Sequence, residues 1–174
     1  MNYDVAADEV NLEEFWDGAV VAVVGLFDKG KTFVLNNLTQ SNLPSGKRVS
    51  TKGLSFKNVV VDYGTRLILL DTAGSYSPVK ISNEFSVIEK EASELFILDL
   101  VFELSDYFIC VVNDFTSLDQ RYLDKISRNL QNTSRKHFKE VIVVHNLKDV
   151  ENRSVLDHMW TNQVTMIYGH GNLM

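Results

Sequence analysis

The sequence predicts an α/β fold in which a mostly parallel central sheet carries helices on both faces. Short β-branched runs alternate with longer segments of helical periodicity, which is the pattern of such a sheet. Four of the short runs are apolar throughout, as strands between two helix layers must be. A glycine-containing loop also joins the first of these runs directly to a helix-like stretch.

The strands are predicted from the short apolar runs. They cover residues 19 to 24, 56 to 62, 66 to 71, 107 to 112 and 140 to 145. The run 56 to 62 mixes polar and apolar residues, so we expect it at an edge, and we expect the other four to be central. Cys110 lies inside an apolar run and is predicted to be a buried structural thiol.

Helices are predicted near residues 31 to 39, 83 to 104, 117 to 134 and 152 to 166. The third opens with Thr116-Ser-Leu-Asp119, a capping-box pattern. In the second, Leu95-Phe-Ile-Leu98 and Leu100-Val-Phe102 are expected in the core. Residues 40 to 55 are expected to form an exposed loop.

Length and composition indicate one folded domain over residues 1 to 174. The net charge of −6 argues against a nucleic-acid partner, because phosphate backbones require clustered Lys and Arg. An acidic amino terminus is unlike a secretory signal, so a cytoplasmic location is expected. Only a helix and a tail follow Asp149, without the last strand and helix that such sheets usually carry. We therefore expect the chain to be the amino-terminal part of a longer protein.

Residues 25 to 32, Gly-Leu-Phe-Asp-Lys-Gly-Lys-Thr, match the phosphate-loop pattern between a buried strand and a helix. Gly25 and Gly30 let the backbone wrap closely around an anion, and Lys31 supplies a cation for the β- and γ-phosphates. Thr32 offers a hydroxyl to Mg²⁺. The pattern predicts a P-loop NTPase.

Asp71-Thr-Ala-Gly74 follows a second apolar strand. Asp71 is predicted to hold Mg²⁺ through water, and the amide of Gly74 to meet the γ-phosphate. Alone, this segment would be an ordinary Asp-to-Gly turn. In the loop before it, Thr51 is predicted to close over Mg²⁺ and the γ-phosphate, with Ser50 and Ser55 as weaker competitors.

The segment Asn146-Leu-Lys-Asp149 follows the last predicted strand and is the candidate base-recognition site. A carboxylate can accept hydrogen bonds from guanine N1 and N2, and adenine lacks that pair of donors. Small GTPases have Asn-Lys-x-Asp, whereas position 147 is Leu here, so the lysine is either absent or replaced by Lys148. A polar turn capped by Asn or Asp is the alternative.

In these segments the chain resembles the large GTPases of the guanylate-binding protein and atlastin group, within the dynamin-related proteins. The resemblance spans roughly residues 18 to 150 and rests on the phosphate loop, Thr51-Lys-Gly53, Asp71 to Gly74 and Leu147-Lys-Asp149. It implies GTP and GDP as ligands, Mg²⁺ as cofactor and a nucleotide-dependent homodimer. The predicted nucleotide-binding residues are Gly25, Asp28, Lys29, Gly30, Lys31, Thr32, Phe33, Asn146 and Asp149. The predicted catalytic residues are Lys31, Thr51 and Gly74, and the predicted metal ligands are Thr32, Thr51 and Asp71.

Two departures from known patterns predict slow GTP hydrolysis. The family commonly has an arginine finger where this chain has Asp28, and neighbouring Lys29 would be a poor substitute. Ser75 stands where many small GTPases have a water-orienting glutamine. The leading hypothesis is a GTPase that acts as a conformational or assembly switch. The alternatives are a pseudo-GTPase that binds without useful turnover and a P-loop ATPase or kinase.

Overall fold

The computed structural model describes residues 18–39, 53–60, 64–113, 115–132 and 140–168. The strands are β1 Ala19–Val24, β2 Leu54–Val60, β3 Arg66–Thr72, β4 Tyr107–Val112 and β5 Glu140–His145. The helices are α1 Lys31–Thr39, α2 Ser86–Leu104, α3 Ser117–Asn132 and α4 Arg153–Met159, which continues through a π-helical turn, Trp160–Val164, into α5 Thr165–Tyr168. The predicted element order is confirmed, with bounds that shift by up to three residues.

The five strands form one sheet in the order β2-β3-β1-β4-β5. β1 pairs in parallel with β3 and β4, and β4 pairs in parallel with β5. β2 pairs antiparallel to β3 at the edge, as its mixed composition predicted. Because β1 and β3 are parallel and Val23 lies opposite Asp71, the loops after these two strands emerge at the same end of the sheet.

Buried side chains fill both faces of the sheet. On one face, residues of β1 and β4 pack with Leu98 and Val101 of α2 and Ile126 of α3. On the other face, Leu35 of α1 packs on alternate residues of β1 and β4. Helices therefore cover both faces, which confirms the α/β prediction. Cys110 is fully buried, and burial raises the pKa of its thiol to about 12.

β5 is an exception to the prediction of four central strands. Among the described residues it pairs only with β4, and Ile142 is exposed. The apolar composition of this run was therefore a misleading sign of a central position. An apolar run does not reveal whether a neighbouring strand lies on each side.

The prediction that both apolar stretches of α2 belong to the core is wrong in part. Leu98, Val101 and Phe102 are buried, whereas Leu95, Phe96 and Leu100 are exposed. Only one face of α2 meets the sheet, so the apolar residues on its other face remain on the surface. Within the described ranges, no helix is both long enough and apolar enough to span a membrane.

Candidate functional site

The loop of residues 25 to 30 leaves the carboxyl end of β1 and turns into α1, whose first turn is closed by the bond from the Val34 amide to the Gly30 carbonyl (3.0 Å). It runs beside the chain that follows β3. The Phe27 amide donates to the Ser75 carbonyl at 2.8 Å, and the Ser75 amide donates to the Gly25 carbonyl at 3.3 Å. The two segments predicted to hold phosphate are therefore in direct backbone contact.

Lys31 begins α1 with its side chain folded back under the loop. Its amine donates to the carbonyls of Leu26 at 3.0 Å and Gly25 at 3.3 Å, and only 7% of the residue is exposed. Burial lowers the pKa of Lys31 to about 8, although the Asp71 carboxylate acts in the opposite direction. The amine is thus held among carbonyl dipoles at the loop, where a phosphate would offer it a stronger partner.

Thr32 and Asp71 meet between the two segments. The Thr32 hydroxyl donates to Asp71 Oδ2 at 3.1 Å, and Asp71 is 3% exposed. A hydroxyl and a carboxylate are oxygen donors of the kind that Mg²⁺ prefers. The oxygen donors of these two residues are therefore chemically suited to a Mg²⁺ ion.

Gly74 lies against the loop so closely that no side chain fits there. A Cβ atom at this position would lie 2.5 Å from Phe27 Cα and 2.8 Å from Lys31 Nζ. The absence of a side chain lets the backbone of Gly74 approach the Lys31 amine. Gly74 therefore lies directly beside the loop that is predicted to hold phosphate.

The base-recognition candidate also contacts the loop. Asn146 is buried, and its side-chain amide donates to the Lys29 carbonyl at 3.0 Å. A Cβ atom on Gly30 would lie 2.2 Å from Asn146 Nδ2, so this contact also requires the glycine. The Lys148 amine donates to the Asp28 carbonyl at 3.1 Å and lies 3.9 Å from the Asp28 carboxylate. Lys148 therefore supplies the lysine contact to the loop that Leu147 cannot make.

An ion pair ties the middle of the loop to α3. The Lys29 side chain is 13% exposed, its amine lies 3.3 Å from Asp119 Oδ2, and the amine also donates to Asn113 Oδ1. Asp119 accepts from the Thr116 amide at 2.8 Å, which confirms the predicted capping box. The sequence did not predict this ion pair. The one sign of it was Asp119 at the start of a helix, and a capping role already explained that acid. Lys29 would have to leave Asp119 to act as a finger on phosphate.

The other predicted site residues have fewer described contacts with the loop. Phe33 and Asp149 lie on the surface, beside the loop and at the end of the base segment respectively. Thr51 lies outside the described residues. The end of its triplet, Gly53, is described, and its carbonyl accepts from the Ala73 amide at 2.8 Å. The chain that follows Thr51 is thus joined to the Asp71 to Gly74 segment.

The comparisons with known proteins agree with this geometry. A family model described as 50S ribosome-binding GTPase matches residues 20–147. A heat shock protein of Dictyostelium discoideum is 31% identical over 150 residues, which cover 83% of this chain and 22% of that protein. The chain therefore spans about a fifth of the length of this curated relative.

Two solved structures share the fold. One is a variant of Aquifex aeolicus Era bound to GDP·AlF4⁻, with a TM-score of 0.59 and 19% identity. The other is Era in complex with MgGDPNP and nucleotides 1506–1542 of 16S ribosomal RNA, with a TM-score of 0.62 and 22% identity. Each match covers 88% of this chain and 48% of the Era chain.

Proposed function

This chain belongs to the 50S ribosome-binding GTPase family, and we propose that it is a slow, Mg²⁺-dependent GTPase used as a conformational or assembly switch. A domain of this family binds guanine nucleotide and hydrolyses GTP. The observation that carries the proposal is that two separate segments of the chain, the one after β3 and the one after β5, meet at one phosphate loop. Lys31 and Gly74 approach each other at one side of the loop, and Asn146 and Lys148 hold its other side.

Nucleotide would bind with its phosphates in the loop and its base near residues 146 to 149. The loop amides and Lys31 would bind the phosphates, with Mg²⁺ held by Thr32 and Asp71. Asp149 is exposed at the end of the base segment, and its carboxylate would accept hydrogen bonds from guanine N1 and N2. We propose Thr51 as a further Mg²⁺ ligand in the triphosphate state, because Gly53 joins its segment to Ala73.

Slow turnover follows from the residues at two positions. Asp28 carries a negative charge in the loop and lies near Lys148, so it cannot neutralise charge on a transferred phosphoryl group. The Ser75 side chain lines the same cavity as the buried Tyr122, and serine is too short to replace a water-orienting glutamine. An arginine finger is worth about 10³- to 10⁵-fold in rate, so this site would need charge from a partner.

The finer assignment to the guanylate-binding protein and atlastin group is part of the proposal. It is supported by the Thr51-Lys-Gly53 triplet and by Lys148, which reaches the phosphate loop one position later than in Asn-Lys-x-Asp. This assignment implies a homodimer formed through the nucleotide face, in which the second copy would supply the missing positive charge. A cytoplasmic location is also part of the proposal.

Nucleic acid is not part of the proposed function. Era has been seen with ribosomal RNA, which makes RNA the partner to test first against our expectation. The net charge of this chain, −6, opposes binding to a phosphate backbone. A labelled 16S ribosomal RNA fragment that binds at physiological salt would overturn this part of the proposal.

The hydrolysis proposal is tested by single-turnover phosphate release from GTP with Mg²⁺, measured over a range of protein concentrations. Wild type should be slow when dilute, and Asp28→Arg should be faster. Asp28→Asn is the matched control, since it removes the carboxylate without adding a guanidinium group. Fast hydrolysis by dilute wild type would contradict the proposal. Tight binding without phosphate release at any concentration would favour the pseudo-GTPase alternative.

A further inference from the structure

Helix α2 carries large apolar side chains on the face turned away from the sheet. Phe96 is 69% exposed and Ile88 is 63% exposed, although Leu98 and Val101 of the same helix are buried. A surface helix normally turns polar and charged residues, and not large apolar ones, away from the core. The outer face of α2 therefore has the character of a covered surface.

The exposed residues form one continuous row. Successive members are three or four positions apart, except that the last two are adjacent, so they share a face of the helix. The members are Phe85, Ile88, Ala92, Leu95 and Phe96. All five are exposed. We call these five residues the α2 row.

Acidic side chains border the α2 row. The exposed acids of this helix and the turn before it are Glu84, Glu89, Glu91, Asp99 and Glu103. The one lysine of the helix, Lys90, lies 3.4 Å from the carboxylate of Glu94. Lys125 of α3 lines a cavity together with Glu91 and Leu95. The acids of the rim outnumber these two lysines, so the rim has a net negative charge.

We propose that the α2 row binds an amphipathic helix whose apolar ridge is flanked by lysine or arginine. Such a helix would bury the row and place its cations against the acidic rim, which is the usual helix-in-groove arrangement with complementary charge. A second copy of α2 fits poorly, because its acids would face acids. The first 17 residues of this chain fit poorly as well, because they contain six acids and no lysine or arginine. The proposal concerns a surface outside the nucleotide site and does not rest on the proposed function.

The test uses two synthetic helical peptides with the same leucine ridge, one flanked by lysines and the other by glutamates. Fluorescence anisotropy with the whole chain should show binding of the lysine peptide, and this binding should weaken as salt is added. Phe96→Ser and Ile88→Ser should each weaken binding at least tenfold. Glu89→Lys should weaken it as well, without removing any apolar surface.

Trp160→Ser is the matched control, since Trp160 is 61% exposed but lies outside α2. It should leave binding unchanged, and urea midpoints should show that every variant is folded. Binding of neither peptide, equal binding of both, or equal loss in Trp160→Ser would overturn the proposal. A concentration-dependent dimer that Phe96→Ser abolishes would also overturn it, in favour of a second copy.

Discussion

The side-chain amine of Lys148 donates a hydrogen bond to the backbone carbonyl of Asp28, 3.1 Å away and 120 residues earlier in the chain. This contact joins the base-recognition segment to the phosphate loop. Asn146 makes a second such bond, to the Lys29 carbonyl at 3.0 Å. The two bonds fix the position of the loop relative to the place where the base would lie.

Replacing Lys148 by methionine should weaken binding of both GDP and GTP analogues about fivefold. The bond is worth about 1 kcal/mol once its partial exposure and screening are allowed for. Equilibrium titration with a fluorescent nucleotide measures the effect. Arg153→Met is the control, because Arg153 pairs with Asp157 on α4 at the surface. An effect confined to one nucleotide would contradict a role in positioning the loop.

Gly74→Ala should weaken binding of a GTP analogue at least tenfold and lower the free energy of unfolding by about 1–3 kcal/mol. The new Cβ atom would lie 2.5 Å from Phe27 Cα and 2.8 Å from Lys31 Nζ. Nucleotide titration and urea unfolding give the two values. The control is Gly64→Ala, where a Cβ atom would have nothing within 4 Å. That control should lose some stability to backbone strain and keep nucleotide affinity, and equal affinity losses would refute the steric account.

Nucleotide binding should become pH-dependent above about pH 8, because burial lowers the pKa of Lys31 to about that value. Below this pH the amine is already charged. Above it, the protein must take up a proton as phosphate binds, so affinity should fall by up to tenfold per pH unit. The pKa of Lys31 in the folded protein lies below the ordinary 10.5 of the unfolded chain. Between these two values the unfolded chain binds more protons than the folded protein. The contribution of Lys31 to the free energy of unfolding therefore increases as pH rises.

Titration calorimetry in two buffers of different ionisation enthalpy would detect the proton. Wild type should take up part of a proton at pH 9 and almost none at pH 7. Lys31→Met should bind weakly and lose this difference. Proton release at pH 9, or an unchanged difference in Lys31→Met, would assign the titration to another group.

Asp119→Ala should lower the free energy of unfolding by about 2–4 kcal/mol. It removes a helix cap and leaves the largely buried Lys29 amine without its carboxylate. Urea unfolding measures the loss. Asp124→Ala on the same helix removes only an exposed pair with Arg128 and should cost less than about 0.5 kcal/mol. Equal costs for the two variants would show that the Lys29 pair contributes little.

Local patterns predicted much of this fold. Strand β1 was predicted from a run of apolar β-branched residues, and the start of α3 from the capping pattern of Thr116 and Asp119. The phosphate loop was predicted from its glycine spacing and from the elements on each side of it. In each case the pattern that made the prediction lies in residues close together in the sequence.

Long-range partners could not be predicted in the same way. Nothing near Lys29 in the sequence indicates Asp119, 90 residues away. The exposed face of α2 was also not predicted, because an apolar residue such as Phe96 looks the same in the sequence whether it lies in a core or at an interface. The position of β5 at the edge depends on which strands pair with it, and the sequence of one strand does not carry that information. Thr51 lies outside the described residues, so its role stays a prediction.

The central claim is a guanine-specific nucleotide site built by the phosphate loop and residues 146 to 149. The most direct test is titration with fluorescent GDP and a slowly hydrolysed GTP analogue in Mg²⁺, with unlabelled ATP as competitor, in wild type and Asp149→Ala. The account predicts that wild type binds both, that ATP competes poorly and that Asp149→Ala abolishes binding. Equal competition by ATP, or unchanged binding in Asp149→Ala, would contradict it.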